Sequence, residues 1–424
     1  MKKVLIISFF FNNKEEIGSV RLRGLAKYLP EYGWEPTILT IKRGNESESG
    51  FRTLETEYSD LVANWESKLG LNSENIKLKS KENHKNFTES LIKVWLEIFA
   101  YPDPEKNWYK PAVKAGSELL EKEHFDAILS SSSPVTCHLI ANKLKEIYKI
   151  PWIADLRDLW AYNHYYNFSR FRVFRDINLE KRTLASANVL STVSKPLADK
   201  LIELHENKNV VTILNGFDPK NKAEKVRMLD KKFSIIYTGR IYEKNMDIEL
   251  LFKAISQLNK EKEINLDDFS IEFYGNQKHL LEKQLSPHIN KYDLKRIIKI
   301  HGQVSHEDAL KRQKKSQLLL LLNWNDPKEK GVFTGKIFEY LSAQRPIIAL
   351  GGYGGVVKEL LEQTKAGVSL NNTNELKRII KSFYSEFKLN GEAKYSGIPK
   401  EIDKYSHKEM AMRFSEVLER INNF

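Results

Sequence analysis

The stretch SQLLLLLNWNDPKEKGVFTGKIFEYLSAQRPIIAL, residues 316–350, decides how the chain is read. Its leucine run (318–322) is short, wholly apolar and bounded by polar residues, which fits a strand covered on both faces. A polar turn follows. Next comes a helical pattern in which Ile337, Phe338 and Leu341 face a core, and then a second apolar run, RPIIAL (345–350). Strand, turn, helix and strand in that order form a βαβ unit, and repeated units build a parallel sheet. Two side chains fit this unit poorly. Lys336 falls near the helix start, where a cation opposes the macrodipole unless an anion is close. Glu339 lies among apolar neighbours.

The alternation extends in both directions. The first half contains KVLIIS (3–8), PTILTI (36–41), FDAILSS (125–131), PWIADL (151–156), NVLSTV (188–193) and VVTIL (210–214). The second contains FSIIYTGR (233–240), FSIEFYG (269–275), RIIKIHG (296–302), SQLLLLL (316–322), RPIIAL (345–350) and AGVSL (366–370). Helical patterns lie between them, such as SVRLRGLAKYLPEYG, which stops at Gly33 as a helix should. The expected fold class is α/β with two Rossmann-like, doubly wound domains. Residues 1–215 form the first, with a polar, irregular insertion at 44–90. Residues 216–402 form the second, entered through a Gly- and Pro-punctuated linker near 215–232. Residues 403–424 form an amphipathic helix expected to fold back on the first domain. Ligands in such sheets bind at the carboxyl ends of the strands.

Composition narrows the classes further. A chain of 424 residues is too long for one ordinary core. Its one cysteine, Cys137, excludes an internal disulfide framework and fits a reducing cytoplasm. MKKVLIISFFF holds an apolar stretch of only about eight residues without a cleavage site, so it reads as a buried strand rather than a signal peptide. No apolar run reaches the ~20 residues that span a bilayer. The expectation is a cytoplasmic protein, either soluble or peripheral on the inner face of the membrane. With 68 Lys+Arg against 56 Asp+Glu, the net charge of +12 suits phosphate or anionic-surface partners, or simply a lysine-rich solvated surface. No nucleic-acid-binding signature is present, so no nucleic-acid partner is expected.

Three strand-to-helix turns point to one chemistry. YTGRIYEKN (237–245) places Gly239, Arg240 and Lys244 at a helix start, where a phosphate would reverse the unfavourable sign of two cations; two ordinary surface cations are the competing reading. VFTGK places Thr334 as an N-cap, Gly335 where backbone can approach a ligand, and Lys336 as another cation. Glu339, three residues beyond Lys336, shares its face, or is an ordinary exposed helical glutamate. LGGYGGVVKELL (350–361) offers a glycine-rich turn that matches neither the dinucleotide nor the P-loop spacing, and a merely mobile loop competes with a binding role. Together the turns suit a diphosphate, with Glu339 accepting hydrogen bonds from a ribose diol, as acidic residues do in dinucleotide folds.

These residues resemble the retaining glycosyltransferases of family four, which have the GT-B fold. The likeness rests on YTGRIYEKN, FYGN, IHGQVSHEDALKRQKKSQLLLLL, TGKIFEYLSAQRPIIAL, the N-terminal stretch SFFFNNKEEIGSVRLRGLAKYLPEYGWEPTILT and the linker ILNGFD. It covers nearly all of the chain except 44–90. It implies two domains facing across a deep cleft and a nucleotide-sugar donor, UDP- or GDP-linked. It also implies a sugar transferred with retention, of hexosyl or N-acetylhexosaminyl type, to a glycan or polyprenyl-linked acceptor in bacterial surface polysaccharide synthesis. By the same resemblance Arg240 and Lys244 bind the donor diphosphate and Glu339 the ribose. Val304 and Ser305 lie beside the base, and Gly18 near the phosphates. The family's first motif glutamate falls on Gly331 here. A Gly-Lys precedes FEYL instead, giving Lys336 a phosphate or sugar role.

In the other half PWIADLRDLW aligns with a strand that often ends His-Asp in relatives; here the pair is Arg157-Asp158. Asp158 is the candidate for contacting the transferred sugar or orienting the acceptor, unless it forms a buried ion pair with Arg157. Arg21 or Arg23 would lie near the cleft, with Arg21 and Arg157 on the acceptor side. No Asp-x-Asp triplet occurs, so no cofactor or metal is expected, and cations with helix dipoles would neutralise the leaving group. SLIKVWLEIFAYPDPEKNWYKP (90–111) and WAYNHYYNFSRFRVFRDINLEKR (160–182) concentrate aromatics and cations, which suits an anionic membrane surface. Trp95 and Phe99, four apart, read more readily as core than as membrane anchors. Two alternatives share the layout: a nucleotide-sugar 2-epimerase, and a non-catalytic nucleotide-sugar-binding subunit.

Overall fold

In the computed structural model, residues 1–13, 17–43, 50–61, 97–163, 168–222, 228–242, 246–275, 278–352 and 354–422 are described. The chain divides into two compact units, Met1–Leu214 with Met410–Phe424, and Asn215–Glu409.

The first unit is built on strands β1 (Lys2–Ile7), β2 (Trp34–Ile41), β3 (Arg52–Thr56), β4 (Ala127–Ser132), β5 (Trp152–Leu156), β6 (Val189–Thr192) and β7 (Val210–Thr212). They pair in parallel in the order β3-β2-β1-β4-β5-β6-β7. The order reverses between β1 and β4, so the chain winds helices onto both faces of the sheet. Each face has its own core. Leu5, Ile7, Leu39, Trp108, Ile140 and Trp152 pack on one side. Val4, Ile6, Leu22, Leu25, Trp34 and Ile38 pack on the other. This alternation of buried residues along β1 is why the strand reads as a continuous apolar run.

All six apolar runs read from this half became strands. The seventh strand, β3, lies inside the stretch expected to be an irregular insertion. It is a sheet edge, its residues mostly half-exposed, and edge strands carry the polar and charged side chains that hide them from a hydrophobic reading. Residues 44–49 and 62–90 of that expected insertion lie outside the described residues.

The last helix, His407–Asn422, presents Met410, Ala411, Phe414, Val417, Leu418 and Ile421 to the core of Val4, Ile6 and Leu22. Their spacing keeps one apolar stripe along the helix, and burying that stripe is what assigns the chain's end to the first unit.

The second unit contains β8 (Phe233–Thr238), β9 (Phe269–Tyr274), β10 (Ile298–Ile300), β11 (Leu318–Leu322), β12 (Ile347–Leu350) and β13 (Gly367–Leu370). These too are parallel, in the order β10-β9-β8-β11-β12-β13, reversing between β8 and β11. All five leucines of β11 are buried, as a central parallel strand requires. Where the chain enters this unit, Phe217 N–H donates to the Tyr405 carbonyl at 3.0 Å and His407 N–H to the Phe217 carbonyl at 2.8 Å. Gly216 allows that approach, since a Cβ there would stand 2.7 Å from the Ser406 carbonyl carbon.

Candidate functional site

The second unit gathers its chemistry at the carboxyl ends of its strands. Gly239, just past β8, holds a φ of 128°, and its N–H donates to the Tyr274 carbonyl at 2.6 Å. A Cβ on Gly239 would stand 2.0 Å from Lys336 Cε, so the lysine stem lies directly over this glycine. Gly275, at the end of β9, is constrained likewise, because its Cβ would meet the Gly239 carbonyl oxygen at 2.4 Å.

Lys336 is half-buried, and its Nζ sits 5.6 Å from the Tyr237 ring centroid. Burial lowers its pKa, partly offset by the charge of Glu339. It makes no ion pair with any described residue. Arg240 is also half-buried, with its guanidinium carbon 5.8 Å from the Tyr242 ring centroid. The Arg240 carbonyl accepts from the Tyr237 hydroxyl at 2.6 Å, which fixes the backbone of this turn. Lys244 lies outside the described residues. The helix expected to start at Arg240 begins instead at Glu249, so Arg240 stands in a strand-end turn rather than at a helix N-terminus, which corrects the expectation.

The glycine-rich turn after β12 has Gly351, Gly352, Gly354 and Gly355 all in the left-handed region, a conformation other residues enter at a cost. Gly352 N–H donates to Asn325 Oδ1 at 2.8 Å, and Asn371 Nδ2 donates to the Gly352 carbonyl at 2.6 Å. A Cβ on Gly355 would meet the Lys330 carbonyl oxygen at 2.4 Å. The turn is therefore tied to the segment leaving β11, beside the start of the helix Gly335–Ala343. Thr334 occupies the N-cap position of that helix but forms no capping hydrogen bond, which corrects the expectation. Its buried Oγ1 has no partner. Gly335 is exposed at the helix start.

Glu339 is held from two sides. His306 Nε2 donates to Oε1 at 3.0 Å and Gln313 Nε2 to Oε2 at 3.1 Å. Gln313 Nε2 also reaches Thr238 Oγ1 at 3.0 Å, linking the carboxylate to the end of β8. The hydrogen bond with Glu339 raises the His306 pKa, against the lowering effect of burial. His306 opens the helix His306–Lys315, whose N-cap Ser305 accepts from Asp308 N–H at 3.1 Å. Val304 precedes it and is exposed. Gly239, Arg240, Val304, Thr334, Gly335, Lys336 and Glu339 thus lie on neighbouring strand-end turns of one sheet. Gly331 is buried at the end of the short turn Pro327–Gly331.

In the first unit, Arg157 follows β5 and donates through Nε to the Ser132 carbonyl at 2.8 Å. Its guanidinium lies over Gly18, where a Cβ would stand 3.1 Å from Nη2. Asp158 is half-buried and pairs with no described residue, so the Arg157–Asp158 ion pair does not form. Arg21 corrects the expectation of an acceptor-side position. It is only 3% exposed and forms a two-pronged pair with Asp155, both contacts 3.0 Å. It also donates to the carbonyls of Ile213 and Leu214 at 2.9 and 3.0 Å. A helical arginine read from sequence alone shows only its charge; the buried aspartate that captures it lies on a distant strand.

Family models match both units. "Glycosyltransferase Family 4" matches residues 18–221, and "Glycosyl transferases group 1" matches residues 232–386. The chain is a family-four-like glycosyltransferase. Solved structures agree on its GT-B fold. Sucrose-phosphate synthase from Thermosynechococcus elongatus superposes with a TM-score of 0.66 at 14% identity, covering 99% of both chains. HepE from Anabaena, solved with UDP and glucose, gives 0.62 at 14% identity, over 99% of this chain and 100% of that one. A glycosyltransferase from Rickettsia africae gives 0.58 at 16% identity, over 99% and 98%. No curated protein matches the sequence.

The candidate site includes residues that the sequence reading passed over. His306 and Gln313 position Glu339, and Asn325 and Asn371 hold the glycine turn. The Ser305-x-x-Asp308 capping signature could have placed His306 at a helix start after β10. Nothing local signals that Gln313 points at Glu339. Among the described residues, no three His, Cys, Asp or Glu side chains gather as metal ligands, and no helix is long and apolar enough to cross a membrane.

Proposed function

We propose that this glycosyltransferase uses a nucleoside-diphosphate sugar, taken up by the second unit. The observation that carries the reading is Lys336, a half-buried cation with no ion-pair partner among the described residues, whose stem lies over Gly239, the residue that precedes Arg240. An unpaired, partly desolvated cation is costly; a diphosphate would compensate it, helped by N–H groups of the glycine-rich turn. Glu339, already oriented by His306 and Gln313, retains lone pairs for a ribose diol. UDP in the HepE structures supports a uridine donor as the first one to test.

The reaction we propose is transfer with retention and without a metal. The bond from the sugar's anomeric carbon to the diphosphate breaks, and the bond to the acceptor hydroxyl forms on the same face. The leaving phosphate oxygen takes the hydroxyl proton. Arg240, Lys244 and Lys336 stabilise the charge that develops on the diphosphate. Asp158 and Arg157 of the first unit are assigned to the acceptor side, and Gly18 to the donor phosphates. The acceptor class we favour is a glycan or lipid-linked sugar of a bacterial surface polysaccharide, handled in the cytoplasm.

Thermal-shift titration with UDP, GDP, ADP and their sugars tests the donor, since a bound ligand raises the melting temperature with its saturation. Arg240→Ala and Lys336→Met should each remove the shift. A shift that survives both variants overturns the diphosphate site. Release of nucleoside diphosphate only when an acceptor is present establishes transfer; epimerised donor without acceptor, or binding without turnover, overturns it.

A further inference from the structure

We infer that the helix Arg170–Leu184 of the first unit, with the adjoining segment Glu97–Phe99, is a docking surface for an anionic lipid bilayer. The helix sorts its charges to an unusual pattern. Its two acids point inward: Asp176 accepts from Arg172 Nε at 2.8 Å, and Glu180 lies 3.2 Å from His205 Nε2. Both acids and Arg172 are buried. The outward face retains only cations and aromatics. Arg170, Lys181 and Arg182 are exposed, while Phe171 and Phe174, one turn apart, are 70% and 64% exposed. Arg175 stacks on Tyr101, 4.0 Å from its ring centroid, and lies 5.8 Å from that of Phe171.

The adjoining segment extends the same surface. Glu97 accepts from Ser169 N–H and Oγ at 3.0 and 2.6 Å, and its carbonyl accepts from Arg172 Nη1 at 3.0 Å. These bonds seat it beside the helix and occupy its carboxylate. Ile98 and Phe99 are then 57% and 55% exposed. Four large apolar side chains in water, ringed by cations and with the nearby acids turned away, are poorly suited to solvent. They suit the headgroup boundary, where the apolar groups enter the acyl edge and the cations meet lipid phosphates. An acidic polymer would satisfy the cations but leave the apolar side chains in water, and this decides for the bilayer. The inference is independent of the donor chemistry.

The test is flotation of the full chain at low salt with phosphatidylcholine vesicles containing about 30 mol % phosphatidylglycerol, against phosphatidylcholine alone. Binding is expected only to the anionic vesicles. Phe171→Ser with Phe174→Ser should weaken it at least about tenfold through lost apolar insertion. Lys181→Glu with Arg182→Glu should weaken it about fivefold per reversed cation. An unchanged nucleotide-induced thermal shift, or an unchanged circular dichroism spectrum if no nucleotide binds, shows that each variant is folded. No flotation of the native chain overturns the inference. So does full binding by the phenylalanine variant, which would mean diffuse adsorption of a basic protein. An oligonucleotide held with the same dependence on Phe171 and Phe174 would reassign the surface to nucleic acid.

Discussion

His306 Nε2 meets Glu339 Oε1 at 3.0 Å, joining the turn after β10 to the helix after β11. The hydrogen bond raises the histidine's pKa. A raised folded pKa stabilises the fold fully below the unfolded value, about 6.5, and the contribution fades as pH rises through the folded value. His306→Ala should therefore lower the melting temperature more at a pH of about 5.5 than at about 8.5. His306 is largely solvent-exposed, so the difference should stay on the order of 0.2–1 kcal/mol. Equal losses at both pH values would refute the coupling.

Glu339 itself should matter to the ribose rather than to the phosphates. Glu339→Gln is expected to weaken nucleoside diphosphate binding by about tenfold or more, the usual worth of a hydrogen bond to a charged group. It should also erase the preference for ribose over its dideoxy analogue, measured by calorimetry. A preference that persists unchanged removes Glu339 from the ribose.

Lys336→Met keeps the stem over Gly239 and removes the charge. Because burial disfavours that charge in the ligand-free fold, the melting temperature without ligand should stay level or rise. The nucleotide-induced shift should disappear. A lower melting temperature without ligand would mean that the cation serves the fold instead.

Gly275→Ala places a Cβ 2.4 Å from the Gly239 carbonyl oxygen, a backbone atom that cannot swing aside. Overpacking of this kind costs about 1–3 kcal/mol. Thermal unfolding should report that loss, and displacement of the Gly239 turn should weaken nucleotide binding as well.

Arg21→Met should cost about 3–5 kcal/mol at neutral pH, because it strands Asp155 as an uncompensated buried charge. Burial alone would raise the Asp155 pKa. The charge of Arg21 and hydrogen bonds from Arg21, Ser191 and Ser131 outweigh it and hold the pKa below its ordinary value. A depressed folded pKa stabilises above the unfolded value and loses that contribution as pH falls through the folded one. The gap between native and variant melting temperatures should accordingly close in acid.

Much of the fold was legible in local pattern. Twelve of the strands announced themselves as short apolar runs, since a parallel strand covered on both faces has no polar side to display. Strand β3 escaped because a half-exposed edge can be built from polar residues. Helix stops such as Gly33, at a φ of 82°, were visible because few other residues adopt that backbone cheaply. The turn at Lys336 and the glycine-rich stretch were legible as chemistry, because a cation at a helix start and clustered glycines are costly without a purpose; the same argument misplaced Arg240, whose turn ends before the helix that begins at Glu249.

The partners of those residues were not legible. The sequence by itself determined two doubly wound halves, the succession of every strand but β3, and the turn at Lys336 where charge is out of place. Only the tertiary structure decided that Arg21 belongs to Asp155, 134 positions away, rather than to an acceptor. Only it decided that Glu339 is held by His306 and Gln313, and that Asp176 and Glu180 turn inward and leave a helix face of cations and phenylalanines. The physical reason is common to all three. Periodicity reports which face of an element is buried, whereas the partner of a buried or half-buried charge is chosen by strand order and side-chain packing, which bring together residues far apart in the chain.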